Sequence, residues 1–497
     1  MTENVESLTK RAVSAAKWNY LGNGFKVMLQ FLIGVWLARL LGPEAFGVVA
    51  IAWLMIGVGK LISDFGFSAA LIQRPDLTDR DVGYIFTIQV LIGFSLSLLG
   101  FLFTSQIAAF FNHAPAEPVI AVMAWLFLIQ AIGQTTTAAL NRALRFKFSQ
   151  MANVATYMLG YVGIGLPMAY LGYGAWSLVA AQMAQAVAYT VIVLVKSRVA
   201  IRPRLRPSKP GLFTFGGKVI GANLCSYAIL NLDNFIVGKY LGVAQLGVYN
   251  RAMTLLGTPN GVIVTSLQSV LFSAASREQN NPESTKRSFL AATEFVGLVC
   301  LPIFLTVAVV PEVVVLGIYG EAWSAAISPL VPLALAMPVH AFLAVIGPVL
   351  MAINRTELEV YAQLVALLIS APLLFFAGMQ SLDALAWAVF IAHLIRWITL
   401  LVAARFGMCV TLFEVSVALQ RGLVLGLLVA GTVALTDYFL SAKNDMVNLL
   451  ILMATASLAL LFFLRALGPY IGRGALFKLL LERNALPCRV TYWLRLN

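Results

Sequence analysis

Apolar runs of roughly 20 residues, the length that crosses a bilayer as a helix, recur along the whole chain between short polar breaks. Fourteen can be drawn, over residues 14–38, 46–70, 83–111, 118–139, 150–171, 175–195, 213–238, 246–274, 289–317, 327–352, 358–378, 383–403, 418–438 and 446–465. Helix is the economical conformation for each, because backbone polar groups in lipid must find partners inside their own segment. The pattern predicts an all-α polytopic membrane protein of 14 transmembrane helices.

Composition points the same way. Of 497 residues, 60% are hydrophobic and 11% charged, with a mean hydropathy of +0.88. A soluble domain carries about 25% charged residues, so a soluble surface is excluded. The opening MTENVESLTKRAVSAAKWNY is polar and lacks the short apolar core of a signal peptide. Cys225 and Cys300 fall in spans, and Cys409 and Cys488 fall on the side assigned below to the cytoplasm, so no disulfide framework is expected.

Lys and Arg cluster in the even-numbered connections. Among them are Arg74 and Arg80, Arg142, Arg145 and Lys147, the run from Lys196 to Lys209, and Arg277, Lys286 and Arg287. The odd-numbered connections hold Lys443 alone, with Arg39 and Lys239 at helix ends. The positive-inside rule then puts both termini in the cytoplasm and requires an even number of spans. The net charge of +13 is mostly this topology, and nucleic-acid binding is not needed to explain it.

The chain also repeats itself. ARLLGPEAFGVVA from Ala38 is echoed by GKYLGVAQLGVYN from Gly238, with Leu41-Gly42 matching Leu241-Gly242 and Gly47-Val48 matching Gly247-Val248. ALNR from Ala139 is echoed by AINR from Ala352, and Trp176 in GAWSLVAA by Trp387 in LAWAVFIA. Offsets of 200, 213 and 211 in the same order fit one duplication. The expected organisation is an N-lobe of six helices (1–196), a basic cytoplasmic linker (197–212), a C-lobe of six (213–404), two appended helices (405–466) and a basic cytoplasmic tail (467–497). An even number per copy makes the lobes equivalent about a pseudo-twofold axis along the membrane normal, a transporter arrangement. A duplication that only enlarges a scaffold is the alternative.

Polar residues at helical spacing inside a span mark the face turned from lipid. The first span carries Asn19, Asn23, Lys26 and Gln30, and the seventh Asn223, Tyr227, Asn231 and Asn234 beside Asp233. The second carries Lys60 and Asp64, and the eighth Asn250 and Arg251 followed by Thr254, Thr258, Thr265 and Gln268. These four spans are therefore expected to wall a cleft, with spans 13 and 14 outside it. Lys26 has no acid in its own span, so it serves a substrate or pairs with Asp64. Lys60 and Asp64, four apart, either pair on one helix or act separately. Asp233 and Arg251 form a bridge or serve ligand and ion coupling. Arg396 either holds a ligand or snorkels to the surface, and His340 packs or carries a proton. Lys26, Lys60, Arg251 and Arg396 outnumber Asp64 and Asp233, which favours an anionic substrate.

Nucleotide-binding motifs and metal-ligand clusters are absent from the sequence, so neither cofactor nor metal is expected, and the chain is read as no enzyme. The DRD at Asp79–Asp81 is similar to the acidic motif of glycosyltransferases, but it sits in a short connection where solvated loop charges are the simpler reading. A membrane glycan polymerase would need a large periplasmic loop. A drug or small-cation exporter would need an acidic cleft.

The wording RLLGPEAFGVVAI (Arg39–Ile51), DFGFSAALIQRPDLTDRD (Asp64–Asp81), NRALRFKF (Asn141–Phe148) and NLDNFIVGKYLG (Asn231–Gly242) resembles the Wzx-type polysaccharide flippases of the multidrug/oligosaccharidyl-lipid/polysaccharide exporter superfamily. Within them it is similar to the branch serving exopolysaccharides such as colanic acid, succinoglycan and xanthan. The resemblance implies a protein of the bacterial inner membrane that moves undecaprenyl-diphosphate-linked oligosaccharide from the cytoplasmic to the periplasmic leaflet. It implies membrane lipids and polymerase or export machinery as partners. On that reading Lys26, Lys60, Arg251 and Arg396 contact phosphate, while Asn23, Gln30, Asn223, Tyr227 and Asn231 line the sugar path. Asp64 and Asp233 couple an ion or form structural pairs. A lipid II flippase fits the same cationic cleft.

Overall fold

A computed structural model describes residues 22–64, 71, 78–143, 145–196, 203–205, 227, 230–277, 282–440 and 444–482. The described residues are helical or in turns, with no strand among them. Ten of their helices are long and apolar enough to cross a membrane, and they coincide with ten of the runs drawn above. The chain is thus a multi-pass membrane protein. Of the other four runs, three are more polar or interrupted: the helix over 22–40, Phe146–Tyr170 and Val243–Arg277. The fourth, 213–238, lies largely outside the described residues, as do most of the 197–212 linker and the tail beyond 482.

Packing divides the chain into two compact units, Met1–Asn250 and Arg251–Asn497, with the division inside the helix Val243–Arg277.

In the first unit, helices approach closely where glycine permits it. A Cβ on Gly47 would fall 1.9 Å from the Val243 carbonyl oxygen, and one on Gly247 would fall 1.9 Å from that of Pro43. The contact is reciprocal, and its partners are the repeat-matched positions 43/243 and 47/247. The repeated sentence therefore encodes a backbone-to-backbone crossing of the opening turns of Pro43–Asp64 and Val243–Arg277. The neighbouring Leu-Gly pairs differ. Gly242 takes φ +93° to end a π-helical turn, Val237–Leu241, whereas Gly42 is not left-handed. Elsewhere Asp79–Leu102 is fixed to Leu126–Arg142 by Gly93 against Ala131, by a buried Thr135–Gln89 hydrogen bond, and by the Leu128 N–H donating to the Ser97 hydroxyl at 3.1 Å.

Within the DRD segment, Asp81 is buried rather than solvated. Asp81 and Thr78 form a reciprocal capping box at the start of Asp79–Leu102, the Thr78 hydroxyl donating to Asp81 at 2.7 Å.

In the second unit, Ile327–Ala352 is the central helix, nearly all of its apolar positions being buried. The appended Leu412–Leu440 crosses Pro282–Val309 in backbone contact, with Gly422 against Gly297. One turn away the wholly buried Glu294 meets Arg421 at 3.7 Å. The repeat-matched Trp176 and Trp387 both stay exposed at the starts of their helices, as membrane-interface anchors do.

Replacing Gly47 or Gly247 by Val should cost at least about 1–3 kcal/mol, the usual penalty of overpacking. It would be read as a lower thermal midpoint of the detergent-solubilised protein, with Gly24→Ala, which meets open space, as the neutral comparison. Glu294→Ala strands the Arg421 charge and should cost about 3–5 kcal/mol in the same assay.

Candidate functional site

The first unit encloses a cavity of about 670 Å³, lined by the helix over 22–40, Pro43–Asp64, Leu126–Arg142, the segment Phe146–Tyr170 and Ala175–Lys196. Its polar lining is ordered by helical period. Leu126–Arg142 contributes Gln130, Gln134, Thr137 and Asn141, spaced 4, 3 and 4 along one face. Ala175–Lys196 contributes Gln182, Gln185 and Tyr189. The π-helical stretch Met158–Gly165 brings Tyr161 into the same lining, and its hydroxyl donates to Gln182 Oε1 at 2.8 Å. Such stretches are frequent at functional sites. Here the stretch lies close against Ala175–Lys196, since a Cβ on Gly160 would come within 2.4 Å of the Ala181 carbonyl.

Two ammonium groups face this amide-rich space. Lys26 donates to Asn153 Oδ1 at 3.3 Å and lies within electrostatic range of Lys60. Among the described residues no carboxylate lines the cavity and neither lysine has a carboxylate partner. Two like charges facing one space repel, so an anion bound between them is favoured. The amides of Gln130, Gln134, Gln182 and Gln185 donate and accept, which suits a hydroxyl-rich group. Trp53 adds a partly exposed aromatic face.

Of the expected site residues, Lys26, Lys60 and Gln30 come together here. Asn23 is exposed and stands outside the lining. Tyr227 is occupied elsewhere: its hydroxyl donates to the Leu54 carbonyl at 3.1 Å, against Gly57, where any Cβ would collide with it. Asn231 donates back along its own helix to the Tyr227 carbonyl at 2.9 Å. Asp233 accepts from the Tyr249 hydroxyl and from the Asn234 backbone and side chain. Asn223, Asn19 and the Asp64 side chain lie outside the described residues.

Arg251 and Arg396 belong to the second unit. The backbone carbonyl of Arg251 accepts from the Tyr319 hydroxyl at 3.4 Å. Arg396 lies within electrostatic range of His340, His393 and Glu359. The two imidazoles stand 5.7 Å apart, and His340 Nδ1 shares a hydrogen bond of 3.0 Å with the buried Asn260. His340 is therefore part of a polar cluster inside the lobe.

Sequence reasoning missed the face on Leu126–Arg142. Its 4, 3, 4 spacing is the same signal that singled out Asn19 to Gln30.

Residues 36–328, more than half of the chain, match the family described as polysaccharide biosynthesis protein. The chain belongs to that family. Relatives within it are the teichuronic acid biosynthesis protein TuaB of Bacillus subtilis, 27% identical over 92% of this chain and 96% of its own length, and the lipopolysaccharide biosynthesis protein WzxC of Escherichia coli, 23% identical over 71% and 72%. The succinoglycan biosynthesis transport protein ExoT of Rhizobium meliloti is 24% identical over 65% of each chain. The resemblance to Wzx-type proteins is thus borne out.

Among solved structures, the lipid II flippase MurJ in an inward closed conformation aligns with a TM-score of 0.70 at 14% identity, over 92% of this chain and 98% of that one. An inward-facing MATE family transporter of the MOP superfamily aligns with 0.61 at 15%, over 79% and 94%. At these identities the likeness is one of fold: the chain shares the helical fold of those two proteins.

Tyr227→Phe separates a structural latch from a sugar contact. A lost single hydrogen bond should lower stability by about 1 kcal/mol in thermal unfolding, while polymer export in complemented cells stays within twofold of wild type.

Proposed function

We propose that this polysaccharide biosynthesis protein is a flippase, not an enzyme. It carries an undecaprenyl-diphosphate-linked oligosaccharide repeat unit from the cytoplasmic to the periplasmic leaflet of the bacterial inner membrane. The observation that carries the reading is the cavity in which Lys26 and Lys60 face a lining of amides, with no carboxylate among the described lining residues. The diphosphate sits between the two ammonium groups, and charge-assisted contacts of this kind are the strong ones. The sugars take the glutamine and asparagine face. The lipid tail stays in the bilayer.

The finer architecture belongs to the same proposal: 14 spans, both termini cytoplasmic, and two six-helix lobes related by a pseudo-twofold axis and flanking a central cleft. The reciprocal 43/247 and 47/243 contacts support it, because a twofold brings equivalent positions onto one another's partners. The names of TuaB, ExoT and WzxC support a saccharide cargo. A small-cation exporter is disfavoured by the two lysines. Arg251 and Arg396 are assigned to the C-lobe side of the path, and Asp64 and Asp233 to ion coupling or structural support.

Direction follows from charge. Moving two negative charges out across an inside-negative membrane is favourable by about 4.6 kcal/mol per 100 mV, at about 2.3 per charge.

Lys26→Gln and Lys60→Gln should each lower export about 10- to 100-fold, the value of one charge-assisted hydrogen bond. Lipid-linked repeat units should accumulate on the cytoplasmic face, measured by extraction and mass spectrometry. Normal polymer yield from a stably produced double variant, or from a strain lacking the protein, would sink the proposal.

A further inference from the structure

The second unit has a cavity of its own, about 550 Å³, where the opening turns of Pro282–Val309 and Leu412–Leu440 meet the short helix Ala475–Glu482. Among the described residues four cations line it, Arg287, Arg421, Arg473 and Lys478, against one carboxylate, Glu414. That carboxylate is already committed. One oxygen receives Lys286 at 2.7 Å, and the other accepts from the Thr411 backbone and hydroxyl at 2.9 and 2.8 Å. Arg421 is committed too, to Glu294, to the Tyr470 carbonyl at 3.2 Å and against the Tyr470 ring. Arg287 lies 3.9 Å from Glu283 in an exposed pair, and exposed pairs contribute little. Arg473 and Lys478 form no salt bridge among the described residues.

The arrangement is built into the lobe. Glu294, wholly buried, accepts from the Leu476 backbone N–H at 3.1 Å and so caps the short helix. Gly474 permits this approach, since a Cβ there would fall 1.7 Å from Glu294 Oε1. The cap places Arg473 two residues before the helix and Lys478 one turn into it. Phe413, 77% exposed, lines the mouth, and its neighbour Leu412 is exposed as well. Cationic side chains with exposed apolar ones at the end of a membrane helix suit an amphiphile whose anionic head lies at the boundary.

We propose that this cavity binds the phosphate of an anionic diacyl phospholipid, with the headgroup at Arg287, Arg473 and Lys478 and the acyl chains running past Phe413. The site is separate from the Lys26/Lys60 cavity and carries no cargo. Bound lipid holds Ala475–Glu482 on the lobe, since a ligand of the folded state stabilises it.

The full-length protein in neutral detergent is titrated with phosphatidylglycerol, phosphatidylcholine and inorganic pyrophosphate, and bound species are counted by native mass spectrometry. Phosphatidylglycerol should bind and phosphatidylcholine should not. Arg473→Gln with Lys478→Gln should weaken phosphatidylglycerol about 30-fold, at roughly fivefold per cation beside an anionic headgroup. The charge-keeping pair Arg473→Lys with Lys478→Arg should retain it. Unchanged affinity in the Gln pair overturns the proposal, as does equal loss in both pairs. Displacement of the lipid by pyrophosphate at comparable concentration overturns it in favour of a soluble-phosphate site. Unchanged thermal midpoints in phosphatidylcholine nanodiscs exclude misfolding as the cause of a loss.

Discussion

Polar side chains inside a lipid-spanning bundle must face one another or water, since hydrocarbon offers no hydrogen bond and screens no charge. In the first unit that constraint turns the stripe on 22–40, the face of Leu126–Arg142 and four polar residues of Ala175–Lys196 toward one space. The lysines are tolerable there because amides and the cavity interior surround them. The same constraint gathers Asn260, His340, His393 and Arg396 in the second unit and encloses Glu294 beside Arg421. Both units are arranged by where their few polar groups can go.

Glycine supplies the complementary condition. Lipid gives no hydrophobic drive for helices to associate, so close van der Waals contact and backbone approach have to hold them. Gly47 and Gly247 let two helices meet at their carbonyls, and Gly422 does the same for Leu412–Leu440 against the Gly297 carbonyl. Gly57 leaves room for the Tyr227 hydroxyl to reach Leu54. Each contact is intolerant of a single methyl group, which explains why small residues recur where helices cross.

The membrane character and the polar stripe of the first span were readable from the sequence, because both depend on composition and on the period of one helix at a time. Lys26, Lys60 and Gln30 were found in this way. The sugar-path role given to Tyr227 and Asn231 was not upheld by their contacts, since a stripe shows which face turns inward and not what that face meets. Asp81 taught the same lesson: the carboxylate ends in a capping box with Thr78.

By itself the sequence determined the apolar runs, the charge bias between them, the echoed wording around Gly47 and Gly247 and the family wording, all properties of local order along the chain. Tertiary structure alone decided which polar faces share a cavity and which glycine meets which carbonyl. It also decided that Glu294, unremarked in an apolar run, caps a helix 182 residues later. Those outcomes depend on contacts between distant segments. In a chain this apolar, many pairings satisfy the same helical period, and only packing chooses among them.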